Sequence, residues 1–208
     1  MITNSRDIRN LRKSLKLDKK QKLLLVGTLL GDGALLPNAW GKNYRLSIQH
    51  GTNQKEYLFW KYKIFKKWTL SCPKYYAKTN SWHFRTISHS DFTNFAKEFY
   101  IKGRRKILPK NIEKYLKEPF VIAVWYMDDG NVRRSKDKIY GAMLNTQSFS
   151  YKENLRLKNF LEKIYNIKVL VIKDHKKLRL YISGNKNAEK FLSVIKPYCL
   201  SCFNYKFS

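Results

Sequence analysis

Two stretches of the chain are almost wholly apolar, and each is closed by acid and glycine. Leu23-Leu24-Leu25-Val26-Gly27-Thr28-Leu29-Leu30 runs into Gly31-Asp32-Gly33, and Phe120-Val121-Ile122-Ala123-Val124-Trp125-Tyr126-Met127 runs into Asp128-Asp129-Gly130. Neither alternates as a half-buried strand would, so both are predicted to be buried helices. Asp18 followed by Gln21 supplies a capping-box start for the first. Pro119 sits in the first turn of the second, where its fixed φ and missing N–H cost nothing. Gly33 and Gly130 are placed to end the helices in left-handed turns.

The pattern downstream of each helix also repeats. Tyr44, Leu46 and Ile48 alternate with Arg45, Ser47 and Gln49; further on, Tyr140, Ala142 and Leu144 are predicted inside with Asn145 and Gln147 outside. Helices are predicted at about 54–68 and 151–165, strand pairs at 75–87 and 169–183, and closing helices at about 91–100 and 188–195. Within the later strand pair, Leu178, Leu180 and Ile182 alternate with Arg179 and Tyr181. The fold class is therefore α+β, with two pseudo-symmetric helix-strand-strand-helix-strand-strand-helix halves at 18–106 and 118–208. A charged linker spans 107–117, and a solvated basic arm occupies 1–17. Asp32 and Asp129 are 97 residues apart, Gln49 and Gln147 98, and Lys106 and Lys206 100. Small loop changes in a duplicated unit would give this slow drift.

Charge narrows the partner. Lys and Arg number 43 against 15 Asp and Glu, a net +28, which points to a polyanion and first to nucleic acid. The 15% aromatic content excludes a disordered chain. The apolar runs are about half the length of a membrane span, and no membrane partner is expected. An odd count of three cysteines is no disulfide framework and suggests a reducing intracellular compartment. Cys199 and Cys202 lack the second pair of a zinc quartet, so they and Cys72 are read as core residues. The aromatics Tyr57, Phe59, Trp60, Tyr62, Phe65 and Trp68 are likewise read as core.

Acids are scarce, which makes Asp32, Asp128 and Asp129 conspicuous. They sit at helix C-termini, where the backbone dipole already favours cations. A divalent cation held by carboxylate and carbonyl oxygens would resolve that conflict.

Leu25–Gly33 resembles the motif of the LAGLIDADG homing endonucleases, and Ile122–Gly130 resembles its second copy in intron-encoded, double-motif members. Trp68-Thr69-Leu70-Ser71 with Pro73, Leu144-Asn145-Thr146-Gln147-Ser148-Phe149 and Ile195-Lys196-Pro197-Tyr198 extend the resemblance. It implies motif helices packed at the centre and antiparallel sheets forming a DNA-binding saddle. It implies metal ligation by Asp32 and Asp129, supported by the carbonyls of Gly31 and Asp128. Gln49 and Gln147 would order water around the nucleophile, and Lys106 and Lys206 would stabilise charge at the scissile phosphates. The implied cofactor is Mg²⁺, with Mn²⁺ able to substitute. The implied activity is site-specific double-strand cleavage by a monomer on a long asymmetric site, leaving 3′ overhangs. Candidate DNA contacts are Lys42, Arg45 and Ser47 in the first half, and Arg133, Arg134, Lys136, Lys138, Lys173 and Arg179 in the second. An intron RNA maturase, with host intron RNA as partner, is the alternative on the same fold. Lys-, Asn-, Ile- and Tyr-rich usage hints at an organelle or nucleoid. The second helix departs from the family in lacking some small residues, with Ala123 and Met127 on one face and Val124 and Asp128 on the next.

Overall fold

The computed structural model describes residues 5–39, 41–101, 105–136 and 138–207. In chain order the elements are α1 (Arg6–Ser14), α2 (Lys19–Leu30), β1 (Ala34–Pro37), β2 (Tyr44–Gly51), α3 (Lys55–Phe65), β3 (Lys74–Tyr76), β4 (Ser81–Arg85) and α4 (Ser90–Phe99). The second part of the chain adds α5 (Glu113–Leu116), α6 (Pro119–Asp129), β5 (Gly130–Ser135), β6 (Lys138–Leu144), α7 (Tyr151–Tyr165), β7 (Val169–Asp174), β8 (Lys177–Ser183) and α8 (Asn185–Ile195). This is an α+β chain with two four-stranded antiparallel sheets, ordered β1-β2-β4-β3 and β5-β6-β8-β7. By its packing it divides into two compact units, Met1–Lys22 with Gly33–Lys97 and Leu23–Asp32 with Glu98–Ser208.

In the first unit, Leu46, Ile48 and Phe84 turn inward and bury with Tyr57, Leu58, Phe65, Trp68 and Phe92. The described part of the basic N-terminal segment, residues 5–17, is no free arm. It forms α1, whose Ile8 is buried, and its end is tied down because the Arg12 carbonyl lies 3.0 Å from His89 Nε2 and the Leu17 N–H donates to Asp91 at 2.9 Å. The predicted capping box is present. The Gln21 N–H donates to Asp18 Oδ1 at 2.7 Å, and the Asp18 N–H donates to Gln21 Oε1 at 3.2 Å. Gln21 also donates to the Ile64 carbonyl at 3.0 Å and accepts from the buried Trp68 Nε1 at 3.3 Å. Gln21→Ala is thus expected to destabilise by about 2 kcal/mol, since a cap is lost and a buried indole N–H is stranded. Urea unfolding would measure this, and a change under about 0.5 kcal/mol, the scale of ordinary surface substitutions, would refute the role.

In the second unit, Ala142, Leu144, Leu180, Ile182 and Val169 bury with Leu157 and Leu161 of α7 and Phe191 and Ile195 of α8. Tyr140 is 51% exposed rather than inside. The reason is a β-bulge: Arg133 pairs with Gly141 and Arg134 with Ile139, leaving Tyr140 as the extra residue. The linker is docked on α7. Arg156 binds Glu113 at 2.5 Å and the Pro109 carbonyl at 3.0 Å, and Glu153 accepts from the Leu108 N–H at 2.6 Å. The cysteines are not core residues: Cys72 is exposed, and Cys199 and Cys202 are half-buried.

The two motif helices touch through the second unit's portion of α2. A Cβ on Gly27 would lie 2.7 Å from Val124 Cβ, and one on Gly31 would lie 2.4 Å from Asp128 Cβ. Two glycines on one helix therefore admit the larger Val124 and Asp128 of the other, which explains how α6 manages without small residues. The glycines after the acids do not act as expected. Gly33 and Gly130 are not among the positive-φ residues, and Gly130 has φ −94°, so α6 runs through Asp129 straight into β5. Glycine is required at 130 because a Cβ there would sit 2.0 Å from the Tyr126 ring.

Candidate functional site

The close crossing sets the spacing of the acids. Gly31 and Asp128, each immediately before a motif acid, face one another, so Asp32 and Asp129 stand at equivalent places. A carboxylate oxygen of Asp32 lies within 4.8 Å of one of Asp128. The Asp32 N–H donates to Asp128 Oδ2 at 3.4 Å. Asp129 is half-buried; burial, then the charges of Asp32 and Asp128, push its carboxyl up to about 7. Lys106 and Lys206 pull the other way.

Both lysines cap helix ends. Lys106 Nζ donates to the Gly31 carbonyl at 2.7 Å. Lys206, buried, donates to the Met127 carbonyl at 2.8 Å and the Tyr126 carbonyl at 3.2 Å. Tyr126 Oη returns a bond to the Lys206 carbonyl at 2.9 Å. Cations at the last carbonyls of a helix answer both its unsatisfied acceptors and its dipole. Burial holds Lys206 below the usual ammonium range, opposed by the three aspartates. Gly31's carbonyl is already engaged by Lys106, leaving one lone pair for a second partner.

The carboxylates of Asp32 and Asp128 lie close together, and Asp129 is near enough to feel both charges; this crowding of negative oxygen donors at two helix ends fits a hard divalent cation.

The two glutamines are placed differently. Gln49 stands on β2, its Nε2 donating to Ser81 at 2.7 Å. Gln147 lies beyond β6 in the turn to α7, not on a strand, and its Nε2 donates to Asp174 at 2.8 Å.

Among the candidate DNA contacts, Arg45 and Ser47 share the outward face of β2. Arg85 and His83, which sequence reasoning missed, stand opposite on β4, with Ser47 paired to Arg85 and Gln49 to His83. Burial, and then the charge of Arg85, hold Arg45 below its usual value, so that face wants an anion. The alternation of Trp82 and Phe84 with His83 and Arg85 was the signal available. Lys42 is exposed in the β1–β2 turn, and Arg133, Arg134, Lys136 and Lys138 are exposed along the β5–β6 hairpin. Lys173 alternates onto the face of Val169 and Val171, opposite that of Arg179.

The sequence profile of the LAGLIDADG DNA endonuclease family matches residues 22–191. The DNA endonuclease I-ChuI of Chlamydomonas applanata is 30% identical over 93% of this chain and 97% of that protein. The homing endonuclease I-WcaI, solved bound to its DNA recognition sequence, superposes with a TM-score of 0.88 at 26% identity, over 99% of this chain and 93% of that one. The cytochrome b mRNA maturase bI2 of Saccharomyces cerevisiae is 26% identical over 99% of this chain, which spans about half of that protein at 51%.

Proposed function

The chain belongs to the LAGLIDADG DNA endonuclease family and is a site-specific DNA endonuclease, and on that premise we propose that Asp32 and Asp129 are its paired catalytic carboxylates. The observation that carries this reading is the convergence of both acids, from two helices, beside two lysines on helix-end carbonyls. Asp32 and Asp129, with the carbonyls of Gly31 and Asp128, would hold Mg²⁺, for which Mn²⁺ substitutes. Such an ion, when bound, activates water and stabilises the leaving oxygen.

The chain's own groups do the rest. Lys106 and Lys206 bring positive charge beside the reacting phosphates and fix the helix ends. Gln49 and Gln147, each anchored through its amide nitrogen, present side-chain oxygen to ordered water. Arg45, Ser47, Lys42, Arg133, Arg134, Lys136, Lys138 and Arg179 contact DNA; Lys173 is better placed for phosphate than for bases. The halves 18–106 and 118–208 each address one half-site, so the chain works as a monomer on an asymmetric duplex and leaves 3′ overhangs. Residence in an organelle is part of this reading. Likeness to mRNA maturases favours intron RNA as a weaker second partner; paired acids are superfluous to that role.

Cleavage is expected to need Mg²⁺ or Mn²⁺ and to stop in excess chelator. Observed affinity is expected to fall linearly on a log–log plot against salt, with a slope of about −0.9 per phosphate contact. Titration by fluorescence anisotropy tests this, and a flat salt response would contradict it.

A further inference from the structure

We propose that Arg179 reads a guanine in the second half-site and that Asp174, braced by Gln147, is the positioning residue that aims it. This rests on the endonuclease reading above and names one element of its specificity.

Arg179 lies on the outward face of β8, between the inward Leu178 and Leu180. One of its terminal nitrogens donates to Asp174 Oδ1, across the β7–β8 hairpin. The other approaches Met143 Sδ at 3.7 Å, on the neighbouring strand β6. Asp174 is held in turn, its Oδ2 accepting from Gln147 Nε2 at 2.8 Å, while Gln147 also donates to Asn145 at 3.4 Å. Both carboxylate oxygens are thus engaged by side chains, and the aspartate cannot swing without breaking two contacts.

An exposed arginine normally samples many rotamers, and fixing it at binding costs affinity. Here the guanidinium is already restrained. Each terminal nitrogen carries two N–H groups, and the contacts named use one on each. One N–H on each terminal nitrogen remains in the guanidinium plane, and the match in the major groove for a pair of arginine donors is guanine O6 and N7. A lysine has no fork and would not distinguish guanine in this way. An acid on a DNA-facing sheet would otherwise repel the backbone; the double engagement of Asp174 accounts for its place there.

The test is selection of bound duplexes from a pool randomised across the second half-site, using the full chain and no cleavage step. Wild type is expected to enrich guanine at one position by roughly ten- to a hundredfold. Arg179→Lys and Arg179→Ala are expected to lose that preference alone, leaving other positions unchanged. Asp174→Asn is expected to blunt it severalfold while total affinity holds. Circular dichroism identifies folded variants, and Arg179→Lys, which keeps stem and charge, serves if Arg179→Ala does not fold. An unchanged guanine preference in folded Arg179→Lys, or uniform weakening at all positions, would overturn the proposal. Failure of wild type to cut the selected duplex with Mg²⁺ would instead count against the catalytic reading.

Discussion

Asp129→Asn and Asp32→Asn are each expected to lower double-strand cleavage by roughly 10³-fold or more, as losing a metal-holding, charge-organising group does. DNA affinity is expected to stay within about threefold, because removing one negative charge weakens no phosphate contact. Neither variant should unfold. Burial, and then the charges of Asp32 and Asp128, push Asp129 up to about 7, so neutralising it removes a buried charge and relieves repulsion. Asp128→Asn is expected to be milder, because Asp128 occupies the place facing Gly31 rather than the place of a motif acid. Single-turnover cleavage and a binding titration on the same duplex separate the effects. Near-wild-type cutting by Asp129→Asn would end the assignment, and Asp128→Asn as the more severe change would shift the register of the second motif by one residue.

Gly31→Ala is expected to destabilise by about 1–3 kcal/mol and to abolish cleavage. The added methyl would meet Asp128 Cβ at 2.4 Å; Gly31 follows directly on α2 and Asp128 belongs to α6, so neither atom yields as a flexible side-chain end would. The helices must part, and the spacing of Asp32 and Asp129 changes with them. Gly27→Ala meets Val124 Cβ at 2.7 Å and the Val121 carbonyl at 2.8 Å and is expected to behave similarly for stability. Urea midpoints measure the first effect and cleavage rates the second. Wild-type values for Gly31→Ala in both would show that close helix approach does not set the site.

Much of the fold was legible in the sequence for physical reasons. The helix-strand-strand-helix-strand-strand-helix order of both halves comes from hydrophobic periods that local packing did not override. The capping box at Asp18 and Gln21 is local chemistry, and it formed. Features set by distant partners were hidden. α1 is ordered by His89 and Asp91, some 75 residues away, which no local pattern reveals. Tyr140 fits an inward alternation and fails only because a bulge lies opposite. Gly130 reads as a helix-ending glycine, yet it is small because Tyr126 covers it.

The site divides the same way. Asp32 and Asp129 stood out by scarcity and position. Lys106 and Lys206 were picked out by the family resemblance alone; their capping of helix carbonyls depends on contacts 75 to 80 residues apart, which no local pattern reveals among 43 basic residues. The pairing of Arg179 with Asp174 needed the β7–β8 register, since spacing alone does not say which residues stand opposite.

The central claim is that one chain carries the whole paired-carboxylate centre. Mixing Asp32→Asn chains with Asp129→Asn chains on the target duplex in Mg²⁺ tests it directly. If the centre is assembled within a chain, every molecule in the mixture lacks one acid, and the mixture cuts no better than either variant alone. Recovery of a substantial share of wild-type cleavage would mean that intact acids from two chains combine, and would contradict the account.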